Sequence, residues 1–350
     1  MSTIKVGHED LARFIRAVLA TTGASDKDAG IVADGLVWAN LRGGDGHGVS
    51  RLPIYLDIIA DGEIDPKAQP QIVHEFAATF MIDGGHGFGA VAGMVAAALA
   101  VERAKAHGVA FGILRHTTHT GAIGRYAQWI AGQGCAALVM GAGPAYMAYH
   151  GAKVVSMATS PIAIAVPSGK GPIVLDMATS AIARGKILQA RASGTALPAG
   201  TALTEAGEPT TDPNKAEVLL PLGGPKGSGL GLMFEMLASV LSGAPIQARA
   251  LGPEQRTRHT QNTAIFAIDI AAFRPLGDFK DDADALAAVL KALPRLVGVD
   301  EIFLPGERGS RTETLRRKSG IPIPAKLWAE LEAIAKERGV KMPAQIFAPA

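Results

Sequence analysis

Apolar residues recur near the start of the chain at the three, four and seven spacing of a single helical face: Leu11, Phe14, Ile15, Val18 and Leu19. Ser25-Asp26-Lys27-Asp28 then has the form of a capping box, which predicts a second helix with Ile31, Val32, Leu36 and Val37 on its inner face. A third helix is predicted from near Ser50 to Gly62, and the intervening run LRGGDGHGVSR carries too much glycine to be helical. After Pro70 the period shortens. Residues 72–77 and 79–83 are predicted strands, followed by a glycine turn and an alanine-rich helix over 90–107. Strand signals return at 109–114, 136–140, 162–166, 173–175 and 264–268, with helices interspersed. The run 226–242 is apolar nearly all round, which predicts a helix buried in the core. Helices are also predicted over 282–293 and around Leu327, Trp328, Leu331 and Ile334. The stretch 194–213, rich in Gly, Pro and Thr, is predicted to be a long loop serving as a lid or a partner contact. The pattern gives an α/β protein in which helices from both ends of the chain flank a central α/β body.

Composition narrows the class. At 350 residues, 48% apolar and 19% charged, the chain is long and apolar enough for a substantial core, as one large domain or two ordinary ones, and disorder is excluded. A net charge of +2, from 34 basic and 32 acidic residues, argues against nucleic acid as the principal partner. The single Cys135 forbids an internal disulfide, and its apolar surroundings predict a buried, inert thiol. The first residues lack the apolar core of a secretory signal, and the longest apolar stretch, 90–101, falls short of the roughly 20 residues needed to span a bilayer. A soluble, cytoplasmic protein with no membrane contact is expected.

Five segments carry candidate chemistry. Gly87-x-Gly89-x-x-Ala92 lies between a strand and a helix, but the next strand ends in Arg115-His116-Thr117-Thr118-His119 without the acidic residue a Rossmann unit needs for the ribose. A tight turn permitting close helix packing is the better reading. The run LRHTTHTGAIGRYAQWIA leads from a strand through two histidines and Thr-Gly into a helix, whose start suits an anion such as a phosphate, with His119 beside it. His116 and His119 also have a metal-ligand spacing, although no third ligand is supplied locally. Asp45-Gly46-His47-Gly48-Val49-Ser50-Arg51 places a histidine on an accessible loop, suited to proton transfer, and an arginine able to clamp a carboxylate; a solvated turn and a surface arginine is the alternative. Residues 174–180 run from a strand into a small-residue turn, and Lys226 sits at a helix start, where a cation is unfavourable unless an anion binds nearby.

Read together, GDGHGVSRLPIY, HTGAIGRYA, ATSPIAIAVP, IVLDMATSAIARGKI, GEPTTDP, GGPKGSGLGLMFEML and FLPGE occur in the order seen in the malate/L-lactate dehydrogenase type-2 family, which the chain resembles from about residue 8 to 335. That family includes ureidoglycolate, sulfolactate and diketogulonate oxidoreductases and cyclic-imine reductases. The resemblance implies an NAD- or NADP-dependent oxidoreductase with a non-Rossmann α/β fold, a mixed and largely antiparallel sheet flanked by helices, assembled as a homodimer. It further implies an NAD(P)-binding domain over about 71–294, with residues 1–70 and about 295–350 forming a helical domain for substrate and dimerisation. By position, His47 would be the acid/base, Arg51 would hold the substrate carboxylate and Thr159 would lie close to it. His119, Thr120, Gly121, Ala122 and Ile123 would wrap the cofactor, Asp176, Met177 and Ala178 would line its nicotinamide nucleotide, Lys226 and Gly227 would meet its phosphates, and Pro305, Gly306 and Glu307 would close the far side. Some members are described with the histidine matching His119 as the proton acceptor, so both histidines stay in view.

Three departures from the family pattern matter. Gly46 stands where the family has Ser before the histidine, and Asp45 is the candidate to substitute for it in catalysis. The usual T-N-P is Thr159-Ser160-Pro161, which loses an amide side chain. Lys186 stands where imine reductases tend to place Asp, which favours a 2-oxo or 2-hydroxy acid substrate. A cyclic-imine (piperideine or pyrroline carboxylate) reductase is the nearest rival; a metal-dependent lyase or hydrolase using His116 and His119 and a non-catalytic binding protein are the others.

Overall fold

The computed structural model describes residues 3–252 and 260–346. Strand β1 (Thr3–Val6) precedes helices α1 (His8–Ala20), α2 (Asp26–Leu41) and α3 (Arg51–Ala60). Then come β2 (Gln71–Phe76), β3 (Thr79–Asp83), α4 (Gly89–His107), β4 (Val109–Thr117), α5 (Gly124–Gly132), β5 (Cys135–Ala142), β6 (Ile162–Val166) and β7 (Ile173–Met177). Helix α6 (Arg184–Ser193) leads to the two-residue strands β8 (Ala202–Leu203), β9 (Pro209–Thr210) and β10 (Val218–Leu219). Helix α7 (Pro225–Glu235) continues through a π-helical turn over Met236–Val240, and α8 (Gln247–Leu251), β11 (Gln261–Asp269) and α9 (Leu276–Lys291) follow. The described chain closes with α10 (Glu307–Ser319), β12 (Ile321–Pro324), α11 (Ala325–Arg338) and β13 (Gln345–Ile346).

The local signals act as their chemistry predicts. All five residues of the α1 stripe are buried, and the Ser25 hydroxyl accepts from the Asp28 N–H at 3.1 Å to start α2. Both ends of the chain meet in a small antiparallel sheet of order β12-β1-β13. Ile321, Ile323, Trp328 and Leu331 join Leu11, Ile15, Leu36 and Leu52 in one apolar core. A second core lies between the main sheet and helices α4 and α5, where Ala96, Ala97, Ala100 and Ala104 let α4 approach the strands closely.

The main sheet has seven strands in the order β2-β3-β4-β11-β5-β6-β7, and only β3 and β4, joined across α4, run parallel. Every other pair is antiparallel, unlike the parallel doubly wound dinucleotide fold. The Gly87-x-Gly89 turn serves packing. A Cβ at Gly89 would lie 2.4 Å from the Thr118 carbonyl oxygen and 2.8 Å from that of His119, so only glycine lets α4 begin against the 118–119 backbone.

Two sequence expectations change. The run 226–242 is helical, but only one side of it is buried: Phe234 and Ala238 pack on the sheet beside Met140 and Ala264, while Leu230, Met233, Leu237 and Leu241 stay exposed. Burial by the rest of one chain does not account for that outer face. The 194–213 stretch is not wholly loop either, because it contributes β8 and β9 to a three-stranded sheet of order β10-β8-β9.

Candidate active site

His47 sits on a single 3₁₀ turn, Asp45–His47, between α2 and α3. Asn40, buried at the end of α2, reaches into that loop: its Nδ2 donates to Asp45 Oδ1 at 2.6 Å and its Oδ1 accepts from the Val49 N–H at 2.7 Å. Gly48 leaves room for this amide, since a Cβ there would fall 2.3 Å from it. From α3, Arg51 Nε donates to the Gly46 carbonyl at 2.7 Å, and no carboxylate among the described residues pairs with this guanidinium.

The two candidate histidines come together. The His47 and His119 rings stack with centroids 5.3 Å apart and planes 7° from parallel. The Tyr55 hydroxyl lies 2.7 Å from His119 Nδ1 and fixes that ring's orientation. Burial pushes the Tyr55 phenol far above its ordinary value, although the Arg51 charge pulls the other way, so Tyr55 is neutral at any working pH. His47 is exposed on this turn, with the His119 ring stacked against one face of its imidazole. Loss of solvation, seconded by the Arg51 charge, lowers its pKa to about 4, which makes His47 a neutral imidazole at pH 7.

The loop from His119 to Ile123 turns through Gly121, whose φ is +74°. Thr120 is buried and held through its N–H and hydroxyl by Gln261 Oε1, and the Tyr126 hydroxyl donates to its carbonyl. The helix start that follows does attract an anion, but one the chain supplies: Asp176 Oδ2 accepts from the Gly124 N–H at 3.0 Å. Burial raises the Asp176 pKa against the pull of that N–H and of Arg42. A Cβ at Gly124 would collide with the carboxylate at 2.5 Å.

Backbone contacts chain together three further candidate segments. The Thr159 carbonyl accepts from the Thr179 N–H at 2.8 Å and its hydroxyl at 3.0 Å, just beyond Asp176, Met177 and Ala178. The Leu222 N–H donates to the Thr179 carbonyl, and the Gly227 N–H to the Leu222 carbonyl, each at 2.8 Å. Lys226, on the first turn of α7, is exposed and has no carboxylate partner among the described residues. Ser160 is buried with φ at +32°, a conformation asparagine tolerates better than serine.

Other assignments acquire different tasks. The Asp45 carboxylate is held by the chain itself: Oδ1 and Oδ2 accept from Arg316 at 2.6 and 3.0 Å, which anchors the turn. The Glu307 carboxylate is taken by Lys291 at 2.6 Å and Arg311 at 2.9 Å. What closes against β7 is the backbone of Gly306, whose carbonyl accepts from Arg42 and where a Cβ would lie 2.6 Å from the Val174 oxygen, with Pro305 exposed beside it. Lys186 is exposed on the first turn of α6, whose Gly185 Cα would lie 4.0 Å from a Cβ at Gly46, so that helix start lies over the His47 turn.

His116 and His119 do not converge on a common ligand position. His116 Nδ1 is 2.9 Å from Asp83 Oδ2 and its ring stacks on His86, whereas His119 engages Tyr55. Among the described residues no group of three His, Cys, Asp or Glu side chains is placed to hold a metal. Sequence reasoning assigned no role to Tyr55 or Arg316. Tyr55 stands four residues after Arg51, one turn along the same helical face, which was the available signal; Arg316 has none, being 271 residues from Asp45.

A family model described as malate/L-lactate dehydrogenase matches residues 6–332. L-sulfolactate dehydrogenase of Methanocaldococcus jannaschii is 38% identical over 328 residues, 92% of this chain and 94% of the relative. Malate dehydrogenase from Entamoeba histolytica superposes with a TM-score of 0.93 at 29% identity, over 98% of this chain and all of that one. Δ1-piperideine-2-carboxylate reductase from Pseudomonas syringae superposes with a TM-score of 0.81 at 31% identity, over 95% of this chain and 99% of that one. No helix among the described residues is long and apolar enough to cross a membrane.

Proposed function

The chain belongs to the malate/L-lactate dehydrogenase family, and from that premise we propose that this hydroxy-acid oxidoreductase moves a hydride between NAD or NADP and a small 2-oxo or 2-hydroxy acid. The observation that carries the reading is Arg51, a guanidinium without a carboxylate partner among the described residues, set beside a neutral histidine. Its planar fork suits a carboxylate held by two parallel hydrogen bonds. In oxidation, neutral His47 accepts the proton of the substrate hydroxyl. In reduction it returns one, and a substrate carboxylate on Arg51 offsets the charge that helps depress the imidazole. Tyr55 holds His119 against the His47 ring, which limits the positions His47 can adopt. Lys186, exposed on the helix start that lies over this turn and bonded to Gln189 of its own helix, would suit a substrate with a second anionic group if it turned toward the site.

The residues present fit a dinucleotide. Lys226 is an exposed cation at a helix start, and nothing of the described chain lies within 4 Å of where a Cβ would stand at Gly121. The loop 119–123, the turn 176–178 and residues 226–227 would hold the cofactor, which when bound donates or accepts the hydride. The exposed apolar side of α7 supports a homodimer in which a second copy covers Leu230, Met233 and Leu237.

The test is a spectrophotometric panel of NADH and NADPH against pyruvate, oxaloacetate, 2-oxoglutarate and bulkier 2-oxo acids, with Δ1-piperideine-2-carboxylate as a separate arm. Turnover of 2-oxo acids is expected. Turnover of the imine alone would move the assignment to the reductase branch represented by the Pseudomonas protein.

A further inference from the structure

Helix α10 buries none of its residues, so it is docked on the body of the protein by polar contacts and not by an apolar face. Two arginines make the join at its junction with α2. Arg42, at the end of α2, donates to the Gly306 carbonyl and to Ser310 and Glu313 of α10. In the reverse direction Arg316, on α10, grips both oxygens of Asp45 and donates to the Asn40 carbonyl.

The other ties on the His47 turn are local. Ser50 donates to the Asp45 carbonyl at 2.7 Å, Arg51 holds the Gly46 carbonyl, and Asn40 holds both Val49 and, at 2.6 Å, Asp45 Oδ1. Arg316 alone, among these ties, reaches the turn from a distant part of the chain. No residue of the turn is buried, so packing does not fix its position. A bidentate guanidinium–carboxylate pair fixes angle as well as distance, and the Arg316 side chain is 15% exposed although that of Asp45 is 48% exposed, so the arginine is the rigid member of the pair.

We propose that Arg316 is a positioning residue for His47: by clamping Asp45 it sets the turn so that the His47 ring lies parallel to His119 and beside Arg51. The catalytic part of this proposal rests on His47 being the proton carrier; the positional part does not. It also gives the aspartate next to Gly46 its task, which is to be held by α10.

The test uses two readouts on Arg316→Met, Arg316→Lys and wild type, with folding followed by circular dichroism. The first is a pH titration of ¹³C-labelled histidine by NMR, with His47→Gln identifying the His47 signal. In Arg316→Met the turn loosens, the ring leaves its stack on His119 and its place beside the Arg51 charge, and its titration midpoint is expected to rise from about 4 toward the ordinary 6.5, with Arg316→Lys in between. The second is turnover with the best substrate of the panel. Arg316→Met is expected to lower kcat by about 10- to 100-fold with the KM for the nicotinamide nucleotide unchanged, and to cost less than about twofold when added to His47→Ala. An unmoved His47 titration in Arg316→Met overturns the positional claim, whatever His47 does in catalysis. A shifted titration with full loss of kcat persisting in the His47→Ala background shows that Arg316 acts on turnover by another route and overturns the catalytic part. A His47→Ala protein with wild-type turnover sinks the reading of His47 and leaves the titration to judge Arg316. Should Arg316→Met not fold, Arg316→Lys and Asp45→Asn carry the same titration, and an unshifted midpoint in both overturns the proposal.

Discussion

Gly227 and Gly229 lie two residues apart in α7, and the same change to alanine should move stability in opposite directions. A Cβ at Gly227 would lie 2.5 Å from the Thr179 carbonyl oxygen, 2.6 Å from Leu222 N and 2.7 Å from Leu222 O, all backbone atoms. The nearest contact is about 0.9 Å short of ordinary van der Waals separation, and no flexible side chain can yield. Relief requires moving α7 off the 179–222 crossing, which strains two backbone hydrogen bonds, each worth about 1 kcal/mol. Overpacking adds about 1–3 kcal/mol, and the helix propensity of alanine over glycine returns about 1 kcal/mol. The expected net loss for Gly227→Ala is about 2–4 kcal/mol. At Gly229 nothing lies within 4 Å of the added methyl, so the propensity term acts alone and Gly229→Ala should gain about 0.5–1 kcal/mol. Urea unfolding followed by circular dichroism, at one protein concentration so that subunit association is held constant, measures both. A Gly227→Ala protein as stable as wild type, or a Gly229→Ala protein that loses as much, would refute the reasoning.

Arg51→Lys keeps the charge and removes the planar fork, so the KM for the acid substrate should rise about 10- to 100-fold while that for the nicotinamide nucleotide holds; steady-state kinetics in both substrates checks this, and parallel changes would contradict the clamp. Met233→Asp places a charge on the exposed outer face of α7 and should shift the protein toward monomer by light scattering without altering its circular dichroism; an unchanged mass would exclude this face as the subunit contact.

Much of the scaffold was legible because its signals are local. The α1 stripe, the serine cap of α2 and the strands at 79–83 and 162–166 depend on residues within a few positions of one another. The outer face of α7 was misjudged for a physical reason. An apolar side chain looks the same in sequence whether its own chain or another molecule covers it. Within the site, His47, Arg51 and His119 stood out by residue type and loop context. The tasks of Asp45 and Asp176 did not, because each is set by a partner far along the chain, Arg316 in one case and the Gly124 N–H in the other. Both carboxylates were candidates for cofactor or proton chemistry, and in the fold both are already bonded to the chain's own donors.

The pH dependence of kcat/KM for 2-hydroxy acid oxidation, in wild type, His47→Ala and His119→Ala, bears most directly on the central claim. Oxidation needs a neutral base, and His47 is held below its ordinary 6.5, toward about 4. Wild-type kcat/KM should therefore stay level as pH falls from 8 and decline only below the usual histidine range. His47→Ala should lose about 10²- to 10⁴-fold and with it that acid limb. An acid limb that survives in His47→Ala and vanishes in His119→Ala would contradict the account and give the proton to the partner ring.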